Sequence, residues 1–326
     1  MPLLQKLLNK LNGLHYGQEY LCLAIEKMQQ PLYAYFINRN REVIRDITST
    51  HLFVGYKPVI LALAETGTTL LQQSTPINIA FTMQSFDEGA TIKTSSIIAI
   101  LSLQKIKAFS VGDRFFYYYE GISGKHTFLN RLHISAFLLN NRLYNKKKGN
   151  VYLDANLYRQ VQIAYSIPRK ISVITTGASG LYNVFPTDLH GQAGDYYIIS
   201  LRTGGKACEQ VMQAEKIVLS DMHVSASAQV YTLGKNHMQP LKEKNAFTLL
   251  SNKQSLLFGL PLPLQLIRYK ELVLQSHMQH GIHTLFFFKI VYQETISQSE
   301  ETLSHIHNVY ATWRFKHNIP TDYIPR

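Results

Sequence analysis

Residues 168–210 read PRKISVITTGASGLYNVFPTDLHGQAGDYYIISLRTGGKACEQ. Ile171–Thr176 is apolar and β-branched, the composition of a strand. Gly177–Gly180 supplies turn chemistry. An Asn183–Val184–Phe185–Pro186 segment follows, then a second apolar strand over Asp195–Leu201. The Thr203–Gly204–Gly205 loop leads to a helix opened by Lys206. A lysine at that position opposes the helix dipole, unless an anion shares the same end.

The VITTGASG run, Val173–Gly180, also looks like the start of a dinucleotide-binding βαβ unit. That fingerprint needs a third glycine and a helix beginning at the turn. Here Leu181–Tyr182–Asn183–Val184–Phe185–Pro186 follows, and a proline so close, with aromatic neighbours, argues against a helix. An ordinary hairpin of a β domain is the plainer alternative. Leu181 also occupies the second glycine position that a nucleophile elbow requires.

The chain has 326 residues, enough for two domains. Hydrophobic residues make up 46%, so ordinary cores can form. Two cysteines, Cys22 and Cys208, give neither a disulfide framework nor a CxxC site, which points to a reducing cytoplasm. No apolar run approaches the roughly 20 residues of a spanning helix, and no signal peptide is expected. The formal net charge of +12 suits nucleic acid, an anionic surface or anionic small molecules. That charge is dispersed apart from Lys146–Lys147–Lys148, which reads as a solvated turn or linker, so neither membrane nor nucleic acid is the expected partner. His277, His280 and His283 are evenly spaced but lack carboxylate or thiolate companions, so no metal is expected there.

Leucines at 3, 4, 7, 8 and 11 form one helical stripe, and Glu19–Gln30 is expected to resume as helix before Pro31. From Pro31 to Tyr152 the pattern is mostly β. Expected strands are Leu32–Ile37, His51–Val54, Val59–Ala64, Ile77–Met83, Ile97–Leu103, Arg114–Tyr119 and His133–Leu139. The Lys-rich segment at 145–150 is the expected boundary between domains 1–150 and 151–326. Beyond it, strands are expected at Ile217–Met222, Glu271–His277 and Thr284–Tyr292, a short helix at Ser225–Leu233, a loop at Leu260–Leu264 and a helix at Ser297–Leu303. Gly112–Asp113–Arg114 before FFYYY parallels Gly281–Ile282–His283 before TLFFF. Pro58–Leu61 parallels Pro168–Ile171 more loosely, at a different offset. The N-terminal half is therefore either a degenerate copy of the C-terminal one or an unrelated β-rich domain.

The C-terminal half resembles the flavin reductase-like, FMN-binding split β-barrel family. The resemblance rests on the Thr175–Thr176 strand end, the glycine turn, Asn183-x-x-Pro186, the next strand and Lys206. It implies a mainly β fold with peripheral helices, a split β-barrel over 151–326, FMN as cofactor and NAD(P)H as co-substrate. It implies hydride transfer to flavin, with Thr175, Thr176 and Asn183 at the ring edge. Thr187, Arg202 and Lys206 would hold the phosphate, Asp188 and Ser200 would also lie at the cofactor, and His283 would line the reducing face. Asp188 stands where many relatives have serine, and Ile282 replaces an aspartate before the histidine. Those departures keep open a non-catalytic flavin-binding or flavin-free interaction protein. Barrels of this family pair, so a homodimer or an internal pseudo-dimer is implied.

Overall fold

The computed structural model describes residues 7, 9–64, 76–111, 114–144 and 152–324. The Lys-rich segment and most of the N-terminal leucine stripe lie outside them. Along the chain run β1 (Tyr20–Leu23), β2 (Tyr33–Ile37), β3 (Val43–Asp46), β4 (His51–Tyr56), β5 (Val59–Ala64), β6 (Ile77–Thr82), β7 (Ile97–Val111) and β8 (Arg114–His126). Helices α1 (Arg131–Tyr144) and α2 (Ala155–Ala164) come next. Then follow β9 (Arg169–Lys170), β10 (Ser172–Ala178), β11 (Leu181–Thr187), β12 (His190–Ala193), β13 (Tyr196–Arg202), α3 (Lys206–Ala214), β14 (Lys216–Met222) and α4 (Ser227–Thr232). The chain continues through β15 (Lys242–Glu243), β16 (Leu250–Gln254), β17 (Pro261–Pro263), β18 (Leu266–His280), β19 (His283–Thr295), β20 (Ser304–His307), α5 (Asn308–Lys316) and β21 (Tyr323–Ile324). The fold is mainly β with peripheral helices, as the strand pattern and the resemblance imply.

Two large antiparallel sheets dominate. The first runs β3-β2-β6-β7-β8-β5-β4, and the second β12-β13-β19-β18-β14-β10-β11-β15. With the seven principal strands of each numbered in chain order, both sheets read 3-4-7-6-5-1-2. The match extends to register. In the β18–β19 hairpin each position lies 169 residues after its counterpart in β7–β8: His280 after Val111, His283 after Arg114, Arg268 after Ala99. Bulges between Ser102/Leu103 and Lys105/Lys107 recur between Glu271/Leu272 and Leu274/Ser276. A third bulge, Phe81/Thr82 on β6, recurs at Asp221/Met222 on β14. A bulge costs a local ladder disruption and sits where one residue is inserted. Three coincident bulges within one strand order mark the sheets as two copies of a single unit. Arg114 before FFYYY and His283 before TLFFF are thus structural equivalents, Gly112 and Asp113 lying outside the described residues, whereas the Pro58/Pro168 parallel is not structural. Pro58 joins β4 to β5, while Pro168 precedes β9.

Each sheet buries one face around its own core. In the second repeat Ile174, Phe185, Ile199, Leu219, Leu272 and Phe286 close over Ala207, Cys208 and Val211 of α3. In the first, Phe36, Leu61, Ile79, Leu103 and Tyr117 pack with α2 and α5 through Val161, Ile163, Val309 and Trp313. The outer faces of β5/β8 and β13/β19 then meet. Val54, Ile60, Ala62, Phe116 and Tyr118 pack on Ala193, Tyr196, Ile198, Leu285 and Phe287. Most are register equivalents, for Ile60 and Ala62 in the first repeat match Tyr196 and Ile198 in the second. Leu52 lies flat on its own equivalent, Gly191, where a Cβ would collide with the leucine side chain.

A four-stranded sheet, β21-β1-β20-β9, ties the chain ends together. Tyr20–Leu23 is therefore strand and not the expected helix, because β20, almost the whole chain away, supplies its partner. His133–Leu139 is helical and not a strand. Asn130 Oδ1 accepts the His133 N–H at 2.9 Å, a helix-start contact, and a short apolar run does not separate the two states. Ser297–Leu303 is not helical, since the Ser297 and Ser299 hydroxyls accept backbone N–H groups two residues on and compete with helix. Leu260–Leu264, expected as loop, contains β17. Among the described residues no helix is long and apolar enough to cross a membrane.

Gly191→Leu is expected to lower stability by about 1–3 kcal/mol, the cost of overpacking. The same change in a Leu52→Ala background should cost less, because the colliding side chain is gone. Urea unfolding of the four proteins of this cycle measures the coupling, and additivity would mean that Leu52 and Gly191 are not in contact.

Candidate functional site

A cavity of about 290 Å³ opens where six pieces of backbone converge. The end of β11 contributes Pro186, Thr187 and Asp188. The end of β13 contributes Ser200 and Arg202, and the start of α3 contributes Gly205, Ala207 and Cys208. His237 and Met238 come from the 3-10 turn Leu233–Met238, and His283 begins β19. Tyr56, at the end of β4, reaches in from the other repeat.

That last contribution depends on the docking of two turns. Ile282 N–H donates to the Lys57 carbonyl at 3.2 Å. Gly281, at φ +57, lies so close to Lys57 and Pro58 that no side chain fits. The docking sets Tyr56 against His283, edge to face, with ring centroids 4.6 Å apart. Tyr56 N–H approaches His283 Nε2 at 3.5 Å, and Nδ1 lies 3.1 Å from Ser200 Oγ. This arrangement suits the tautomer with its proton on Nδ1, donating to the serine. Burial, then the nearby Arg202 charge, pushes His283 down to about 4.

Apart from Arg202 and Asp188, the other titratable groups around the cavity are neutral at ordinary pH. Burial raises Tyr56 and Cys208 and lowers His237, whose Nε2–H donates to the Pro186 carbonyl at 2.8 Å. Asp188 is the exception. Burial alone would raise its carboxyl, yet hydrogen bonds from His305 Nδ1 (2.9 Å) and Tyr165 OH (3.0 Å) to Oδ2 hold it below the usual carboxylate range. His305 Nε2 is bonded in turn to Tyr231 OH at 2.6 Å. Asp188 thus sits in a hydrogen-bonded chain at the cavity wall. Arg202 carries the positive charge, and the α3 N-terminus has no side-chain cap. The first-turn N–H groups of a helix have no partner within it, so an uncapped start offers donors to an anion.

Thr187, Asp188, Ser200, Arg202 and His283 meet at this cavity. Lys206 stands between two lining residues, but its ammonium pairs with Glu209 at 2.9 Å on the exposed side of α3. Thr175 and Thr176 are fully buried in β10 and do not line the cavity. Asn183 is also fully buried. Its Nδ2 donates to Gln210 Oε1 at 2.6 Å and to the Asn236 carbonyl at 3.0 Å. Gln210 Nε2 donates to the Gln239 carbonyl, and Asn236 Nδ2 to the Val184 carbonyl. Asn183 therefore fixes α3 and the turn carrying His237 and Met238, one layer behind the wall. Sequence reading missed Tyr56, Cys208, His237 and Met238. Cys208, in the first turn of the helix that Lys206 opens, was within reach of that signal, but nothing local marks His237, Met238 or Tyr56, the last of which sits 227 residues before His283.

No protein-family model matches the chain. No curated protein matches it in sequence. Among solved structures, it is similar to an NADH:FAD oxidoreductase from Streptomyces globisporus, at 11% identity over 50% of this chain and 95% of that one, TM-score 0.41. It is also similar to an FMN-binding protein from Thermus thermophilus with bound p-hydroxybenzaldehyde, at 17% identity over 40% and 73%, TM-score 0.35. A third is the styrene monooxygenase flavin reductase of Pseudomonas putida S12, at 17% identity over 42% and 86%, TM-score 0.35.

The buried histidines His51, His126 and His283 are held near 3, 4 and 4, below the ordinary 6.5, by burial first in each case. An unfolded chain takes up their protons first as pH falls, so stability is complete above about pH 6.5 and declines toward pH 4. Asp188, also depressed, adds its loss only at lower pH, as its folded-state carboxyl protonates. Urea midpoints measured from pH 8 to pH 4 should be level above pH 7 and fall through that window. A level profile down to pH 4 would mean that these imidazoles are not kept neutral by the fold.

Proposed function

We propose that the cavity binds FMN and that the chain acts as a flavin reductase-type oxidoreductase, with NAD(P)H as the hydride source. The observation that carries this reading is the convergence of Arg202, Thr187 and the uncapped start of α3 on one cavity. A phosphomonoester carries close to two negative charges near neutral pH and is satisfied by a cation, hydroxyls and backbone N–H groups together. These are the donor types present. Asp188 keeps its charge at the same wall, its Oδ2 held by His305 and Tyr165, so the phosphate is assigned to the Arg202 and α3 end of the cavity.

When bound, the flavin supplies the ring that accepts hydride, and the chain binds and orients it. Arg202 and the α3 amides hold the phosphate end. Ser200 and neutral His283 offer a fixed donor–acceptor pair to the polar rim, and Tyr56 narrows the cavity on the opposite side. The first repeat stands where a partner barrel would stand in a dimer. A second reading, a flavin carrier without catalysis, draws support from His283. With Ile282 in place of an acid and a pKa near 4, this imidazole is not protonated at neutral pH.

Flavin fluorescence titration should give saturable FMN binding, and Arg202→Ala should weaken it about tenfold, near the 1.4 kcal/mol scale of one charge-assisted hydrogen bond. Unaltered affinity in that variant would remove the phosphate from Arg202. Consumption of NAD(P)H with added FMN separates the enzyme from the carrier.

A further inference from the structure

The two repeats share fold, strand order and bulges, yet their equivalent positions differ at the site. Ser172 pairs with Thr187 in the second repeat, and the corresponding Ala34 bonds to Ile47 in the first. Ser200, opposite Leu285, corresponds to Ala64, opposite Phe116. His283, the first residue of β19, corresponds to Arg114, the first of β8. The hydroxyls of Thr187 and Ser200 are thus replaced by apolar groups, and Ile47 is fully buried in the first repeat's own core. What the first repeat brings to the surviving cavity is its β4–β5 turn, which has no counterpart in the second repeat's own set of lining residues.

We infer that this chain is a fused pair of like sheets in which the first copy carries Ile47, Ala64 and Arg114 in place of Thr187, Ser200 and His283, its counterpart of the α3 start lying outside the described residues, so that it takes one flavin phosphate ligand per chain, in a cavity whose wall the first repeat completes with Tyr56. The ligand class rests on the reading of the cavity as a flavin site; the shared wall does not. Three contacts join the halves at this place: the Ile282–Lys57 backbone hydrogen bond, Gly281 against Pro58, and the Tyr56 ring on His283. Tyr56 is the one side chain of the first repeat that lines the cavity among the described residues, and it faces His283 and Arg202 across it. Tyr56 and Cys208 line the same cavity, so removing the Tyr56 ring widens the space that leads to the Cys208 thiol while leaving Arg202, Ser200 and α3 in place. Tyr56 therefore acts in shaping and closing the site, with no proton to exchange, since burial raises its hydroxyl.

Two measurements on the intact chain test this. Equilibrium dialysis with FMN should saturate at one per chain, and two per chain would overturn the single site. Independently of any ligand, a maleimide should label Cys208 several-fold faster in Tyr56→Ala than in the parent, with the site read by peptide mass. Tyr56→Phe, which keeps the ring, should label at the parental rate. Cys22, buried in a separate core, is the internal control. A parental rate at Cys208 in Tyr56→Ala, or equal acceleration at both cysteines, would overturn the shared wall. Tyr56→Leu repeats the test if the alanine variant does not fold. Faster Cys208 labelling in a protein that binds no FMN upholds the shared wall and removes the flavin reading instead.

Discussion

The packing of one sheet's outer face on the other's decides most of this structure. A sheet whose two faces are both apolar cannot stand in water with one of them bare. The faces carrying Phe116 and Tyr118 on one side, Leu285 and Phe287 on the other, satisfy each other. Fully burying a side chain of this size is worth about 1.5–3 kcal/mol, so several of them together outweigh any single polar contact nearby. Close approach is possible because Gly191, on the edge strand β12, leaves room for Leu52 on the edge strand β4. Once the sheets are seated, the β4–β5 turn of one repeat has a single place to go, against the β18–β19 turn of the other.

The electrostatics of the cavity follow from that seating. His283 is closed in on one side by its own repeat, through Ser200, and on the other by Tyr56. Dehydration from both sides, with Arg202 near, keeps the imidazole neutral. Asp188 resolves the same pressure differently. It keeps its charge by recruiting His305 and Tyr165, which belong to the strand tying the chain ends and to the segment after α2. A group that stays charged at a buried wall needs such donors, and these come from parts of the chain far from the hairpin that carries it.

The small sheet has a second role. Arg314 is fully buried in α5, and its guanidinium donates to the carbonyls of Gln29, Gln30 and Pro320. These bonds fasten the loop after β1 to the last helix. With the β1–β20 ladder, they hold the chain ends over the first repeat's core, where Val309 and Trp313 complete the packing.

What the chain reveals as text is local chemistry. The β-branched run of β10, the glycine turn after it, the apolar β13 and the start of α3 at Lys206 are all legible, because each depends on neighbours a few residues away. Thr187, Asp188, Ser200 and Arg202 were named through the family resemblance, and the structure brings them to the wall of one cavity. The GDR/GIH parallel carried a hint of duplication, since the hairpins are equivalent position by position. Everything that required partners at long range was decided by the tertiary structure. Tyr20–Leu23 became a strand because β20 lies beside it. Asn183 turned inward to brace α3, and Lys206 turned outward to Glu209. Tyr56 entered the cavity only because two sheets buried their outer faces against each other. Burial of those faces is a property of the pair, and no window of either repeat contains it.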